Sequence, residues 1–115
     1  MHKDFSQITR SVTTSLRSLR EDTPDLIASF NALGEAAMRD GALSKKTKEL
    51  IALVLGVAEH CDACLGFHAK ALVKLGATRL EVEEALAVAV YMGGGPSLMY
   101  AADALTAFDQ FSPQS

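Results

Sequence analysis

The run from Glu59 to His68 reads E-H-C-D-A-C-L-G-F-H and contains both cysteines of the chain, Cys61 and Cys64. A thiol pair this close can pass between dithiol and disulfide, and it can equally hold a metal. On a helix turning about 100° per residue, Cys61, Cys64 and His68 fall within an arc of roughly 60° and look the same way. Both cysteines would lie in the first turn, where unpaired backbone N–H groups and the helix dipole favour thiolate over thiol. Glu49 is the fourth candidate, because its helical neighbours Ala52, Leu53 and Gly56 form a small, apolar surface that predicts a partly buried carboxylate. With a turn near Ala58 and Glu59, Glu49 and His68 each stand roughly 14 Å along their helices from it, level enough to pair. The chemistry implied is a relay in which Glu49 orients His68 and His68 moves a proton for a cysteine. A zinc site built from the cysteines, His68 and either Glu49 or His60 is the competing arrangement, although no second ligand pair of the usual kind follows.

The elements that must position these residues are helices. Glycine and proline cluster at segment boundaries, no strand-like alternation persists, and the stretches between are rich in Ala, Leu, Val, Glu and Lys. Six helices are predicted. The first runs from Asp4, an acidic cap, to Arg20, with Phe5, Ile8, Val12 and Leu16 at helical spacing. The second is capped by Thr23 and starts at Pro24, with Leu26, Ile27, Phe30, Leu33 and Met38 as its buried stripe. Gly41 closes it. Ser44 opens the third, residues 45–58, whose second half is apolar on every side and must be central. The fourth runs from Cys61 to Leu75, stopped by Gly76 in the left-handed region. A capping box of Thr78 with Glu81 opens the fifth, residues 79–92. Gly93, Gly94 and Gly95 break the chain before the sixth, residues 96–111. No phosphate-loop pattern surrounds these glycines, so no catalytic role is assigned to them. Residues 112–115 are expected to be a loose tail. Short connections predict that consecutive helices fold back as neighbours in a compact all-α bundle, a single domain over residues 1–115.

Composition narrows the classes of function. The 115 residues carry a formal net charge of −3, with 11 Lys and Arg scattered along the chain, so the basic footprint of a nucleic-acid binder is missing. The longest apolar run, Leu50 to Ala58, is nine residues, against the roughly 20 needed to cross a bilayer. No membrane association is expected. The start, MHKDFSQITR, lacks the apolar segment of an export signal, which predicts a cytoplasmic protein. In that compartment a close cysteine pair is redox-active or metal-binding more readily than a structural staple. At 49% hydrophobic residues and a mean hydropathy of +0.15, so small a chain is apolar enough to bury surface between subunits.

Glu49, Cys61, Cys64 and His68 stand in the spacing E-x(11)-C-x-x-C-x-x-x-H, which resembles the signature of the alkylhydroperoxidase D branch of the carboxymuconolactone decarboxylase superfamily. The segment 45–102, including YMGGGPSLMYA, is similar to the core domain of that superfamily. The resemblance implies hydroperoxide reduction, with Cys64 peroxidatic, Cys61 resolving, and a Cys61–Cys64 disulfide as product. It also implies a Glu49–His68 proton relay, an external dithiol donor of lipoyl or thioredoxin-like type, and a homotrimer or homohexamer; no resident metal or cofactor is expected. The best-known two-domain members place a histidine between the cysteines where Ala63 stands here, so any role of that histidine is absent or passes to His60. Decarboxylases proper in the superfamily lack the cysteine pair.

Two other functions remain open at this level. A redox or metal sensor would use the same pair without turnover, and an acid–base enzyme of the decarboxylase kind would use His68 and Glu49 alone. Glu59 is expected to be solvated or capping. Tyr91 and Tyr100 are expected to be core or interface aromatics.

Overall fold

The computed structural model describes residues 3–113, and among these every regular element is helical. Seven segments occur: α1 (Phe5–Ser15), α2 (Arg17–Asp22), α3 (Pro24–Met38), α4 (Lys45–Ala58), α5 (Asp62–Lys74), α6 (Arg79–Gly93) and α7 (Gly95–Phe111). The first expected helix is present as α1 and α2, broken at Leu16. No helix among the described residues is long and apolar enough to cross a membrane.

Helix ends follow local chemistry. Asp4 accepts from the Gln7 N–H, Ser44 from the Thr47 N–H, and Thr78 forms a reciprocal capping box with Glu81. Thr23 is an exception to its expected role. It occupies the cap position before Pro24, but its hydroxyl donates back to the Leu19 carbonyl and caps nothing in α3. Gly76 (φ +76°) ends α5 in a Schellman turn, with Ala77 N–H bonded to Leu72 O and Gly76 N–H to Val73 O. Between α6 and α7 a single residue, Gly94 at φ +71° and ψ −149°, makes the whole connection in a region open essentially to glycine alone.

α4, α5, α6 and α7 form the body, with α4 and α7 each touching all three others. α5 and α6 do not pack together although only residues 75–78 join them, because α4 and α7 lie between them. The expectation that consecutive helices are neighbours therefore fails at this one connection. α1 lies across α5 and α7, where Gly66 admits it: a Cβ there would come within 2.6 Å of Thr9 Cγ2. Phe5, Leu53, Val57, Leu65, Leu72 and Val82 are fully buried in the common core.

The α2–α3 arm is different. The stripe of α3 expected to be buried is not: Leu26 is 57% exposed, Phe30 68% and Leu33 64%. The reason is placement, since among the described residues α3 touches only α2 and α4 and no further element stands opposite its apolar side. The edge of α4 carrying Ile51 and Leu55 is also open, and with Val54, Ala85 and Val88 it lines an apolar groove of about 330 Å³ against α6. The radius of gyration is 14.5 Å, somewhat above the roughly 13 Å of a chain this long folded as a sphere-like domain. Of the tail expected to be loose, Ser112 bonds back to Phe108, and residues 114–115 lie outside the described residues.

Candidate active site

The turn between α4 and α5 is built by its own backbone. α4 ends in a second Schellman turn, with His60 N–H bonded to Val57 O and Cys61 N–H to Gly56 O. The left-handed position that glycine usually fills is taken by His60 at φ +55°, a conformation that costs a non-glycine residue on the order of 1 kcal/mol. What holds it is the Tyr100 ring of α7, stacked on the imidazole with centroids 4.4 Å apart and planes 3° from parallel. Cys61, the last residue of this turn, is at once the N-cap of α5.

Cys61 and Cys64 are joined by a disulfide across 5.2 Å between Cα atoms. The Cys64 N–H also donates to Cys61 Sγ at 3.2 Å, so the first sulfur caps the helix as a serine hydroxyl would. Both cysteines are half-buried. Gly56 sets how near they come to α4: a Cβ there would stand 3.2 Å from Cys64 Cβ and 3.3 Å from Leu65 Cδ2.

One turn beyond Cys64, His68 Nδ1 donates to Glu49 Oε2 at 2.7 Å. Glu49 is 6% exposed, so the carboxylate is taken out of water and compensated by this one strong contact. His68 keeps a third of its side-chain surface open. With Nδ1 engaged, Nε2 is the nitrogen free to exchange a proton. Elementary counting of residues on either side of the turn puts Glu49 and His68 level, and the structure has them in contact.

His60 stands apart from this relay. Its ring lies on Tyr100, whereas Glu49 faces His68. Among the described residues no group of three or more His, Cys, Asp or Glu side chains is arranged to hold a metal. Glu59 is the exposed C-cap of α4. Tyr91 is 86% exposed and is no core aromatic.

Sequence reasoning missed the surroundings of Cys61. Lys3 bridges Asp62 (3.0 Å) and Asp103 (2.9 Å), and its ammonium lies 5.2 Å from the centre of the Tyr100 ring. No spacing rule links residues so far apart in the chain. The only local signal was Asp62 itself, a carboxylate next to a cysteine.

A helical bundle in which a Cys-x-x-Cys disulfide caps one helix and a buried Glu–His pair bridges that helix to its neighbour defines the class, and the chain belongs to the carboxymuconolactone decarboxylase family, whose model matches residues 24–107. The chain is similar to a carboxymuconolactone decarboxylase family protein of Legionella pneumophila of known crystal structure. The two are 59% identical over 95% of this chain and 97% of that one, with a TM-score of 0.93. A second solved structure, from Thermotoga maritima, is a family protein described as having a possible part in the antioxidative response. It is 30% identical over 94% of this chain and 89% of its own, with a TM-score of 0.74. An uncharacterized protein of Cupriavidus necator is 37% identical over 109 residues, 95% of this chain and 96% of that protein.

Proposed function

We propose that this protein is a thiol-dependent hydroperoxidase and disulfide oxidoreductase with an antioxidant role. The observation that carries the proposal is the juxtaposition of a Cys61–Cys64 disulfide at the start of α5 with the buried Glu49–His68 pair one turn further on. An inert disulfide has no use for a carboxylate–imidazole pair whose outer nitrogen is free.

In the reduced protein the Cys64 thiolate attacks a peroxide oxygen. The O–O bond breaks, an S–O bond forms, and the alkoxide leaves as an alcohol with a proton delivered by His68. The Cys61 thiolate then attacks the sulfenic sulfur, closing the S–S bond and expelling hydroxide, which leaves as water after taking a proton. Two electrons pass from the dithiol to the peroxide. An external dithiol, lipoyl or thioredoxin-like, returns them by exchange through a mixed disulfide. Glu49 holds the imidazole in the tautomer that this proton transfer requires, and no resident cofactor takes part. The exposed stripe Leu26–Phe30–Leu33 and the open α4–α6 groove support the same chain working as a homotrimer or homohexamer. The likeness to the Thermotoga maritima protein supports the antioxidant assignment.

The test is thiol counting on reduced protein before and after one equivalent of organic hydroperoxide, followed by a turnover assay with a dithiol donor. Loss of both thiols, a mass decrease of about two daltons and repeated turnover are expected, with Cys64→Ser inactive. Full activity in Cys64→Ser would overturn the roles given to the sulfurs. Stoichiometric oxidation without turnover would make the protein a sensor, and activity surviving replacement of both cysteines would make it an acid–base enzyme.

A further inference from the structure

Both sequence neighbours of Cys61 are tied to α7. On one side His60 is stacked on Tyr100; on the other Asp62 is linked through Lys3 to Asp103. Lys3 itself is not a free surface lysine. Gln110 of α7 donates its Nε2 to the Lys3 carbonyl at 2.7 Å and accepts the Phe5 N–H through Oε1 at 2.8 Å, and the Phe5 side chain beyond is fully buried. An anchor on either side of the α1 cap thus delivers the ammonium to a fixed place.

That place matters because of charge. Asp62 is the first residue of α5 and directly follows the sulfur that caps it. A carboxylate beside a developing thiolate disfavours it, by the rule that governs any two like charges sharing a site. Among the described residues, the groups that face this corner are His60 from the α4–α5 turn, Asp62 from α5, Tyr100 and Asp103 from α7, and Lys3 from the segment before α1. Lys3 is the one ammonium among them. Its hydrogen bonds to Asp103 first and Asp62 second hold it above the ordinary lysine value of 10.5, so it stays charged wherever the thiols titrate.

We propose that Lys3 is a positioning residue for the redox pair: by bridging Asp62 to Asp103 it offsets the carboxylate beside Cys61 and favours the thiolate on that sulfur in the reduced protein. The inference rests on the proposed redox cycle, where the Cys61 thiolate closes the disulfide, and it adds a residue at the far end of the chain to the machinery. Removing the ammonium leaves the Asp62 carboxylate next to Cys61 without its counter-charge, which raises the cost of a thiolate there and so destabilises the reduced form relative to the uncharged disulfide.

The experiment is equilibration of the full-length protein with glutathione redox buffers, in which one protein disulfide and two glutathiones exchange for a dithiol and glutathione disulfide. Lys3→Met should move the equilibrium toward the disulfide by roughly threefold, the scale of a partly exposed charge interaction, and raise the pH at which Cys61 becomes reactive toward an alkylating agent. Asp62→Asn in the Lys3→Met background should restore both values, and Lys3→Arg should keep them near wild type. An unchanged equilibrium in Lys3→Met, or a change that Asp62→Asn does not reverse, overturns the proposal, the latter by showing that the bridge merely braces the fold. The equilibrium does not depend on peroxide. A shift in it without peroxidase turnover would sink the peroxidase function and leave the role of Lys3 standing; turnover without a shift would do the reverse.

Discussion

α4 and α3 are nearly equal in length and both carry a strong apolar stripe, yet one buries Glu49, Leu53, Gly56 and Val57 while the other buries nothing. The difference lies in what stands opposite. α4 touches α5, α6 and α7, and its face is finished by the chain it belongs to. α3 has only α2 and α4 beside it, and three large side chains at i, i+4 and i+7 are left in water. Such spacing is that of a helix laid into a groove. Apolar patterning marks a face that gains from being covered; it does not state by what.

Three experiments bear on this contrast. Leu72→Ala, in the body, should lower the free energy of unfolding by about 2–5 kcal/mol, since a fully buried leucine between helices leaves a cavity that rigid neighbours close poorly. Denaturant titration would show it, and a loss below about 0.5 kcal/mol would mean that the body is no more tightly made than the arm. Phe30→Ser, in the arm, should leave the fold of each chain intact by circular dichroism and weaken self-association by about a hundredfold, as for a central aromatic anchor. Sedimentation that finds the same species as in wild type would show that α3 faces solvent in the assembly as well.

The smallest effect concerns the polar seam of the body. Lys46 of α4 meets Glu81 of α6 at 2.8 Å, and this ammonium first, with the Thr78 N–H second, holds the Glu81 carboxyl below its ordinary value of 4.5. A carboxyl whose folded value is depressed contributes stability above its unfolded value and loses it as the pH falls through the folded one. Lys46→Met should therefore reduce the drop in melting temperature on going from pH 5 into the acid range below about 4, and leave the arm unaffected. An acid limb identical to wild type would show the contact to be idle.

Much of this was legible because much of it is local. Asp4, Ser44, Thr78 with Glu81, and Gly76 each act within a turn of themselves, and each end of a helix could be placed from them. The register that brings Glu49 beside His68 follows from counting across a short turn. The break at Leu16 was not legible, because residues 4–20 have continuous helical spacing and no breaker. Nor was the separation of α5 from α6, which depends on α4 and α7 coming between them. At the site, the Cys-x-x-Cys spacing announced itself, but the supports of Cys61 did not: His60 meets Tyr100 and Lys3 meets Asp103 only after the bundle has closed. Tyr100 in sequence is one more helical aromatic.

The Gln110 amide, which bonds the backbone on either side of Asp4, also ties the segment before α1 to the last turns of α7. A short linker from residue 113 to residue 3, with new ends cut in the exposed connection between α3 and α4, would preserve every contact of the body while turning the arm from an internal excursion into a free terminus. The order in which the helices are synthesised is then a matter of genetics and folding route, and Lys3 and Asp103, now a hundred residues apart, would lie near one another in sequence across the linker.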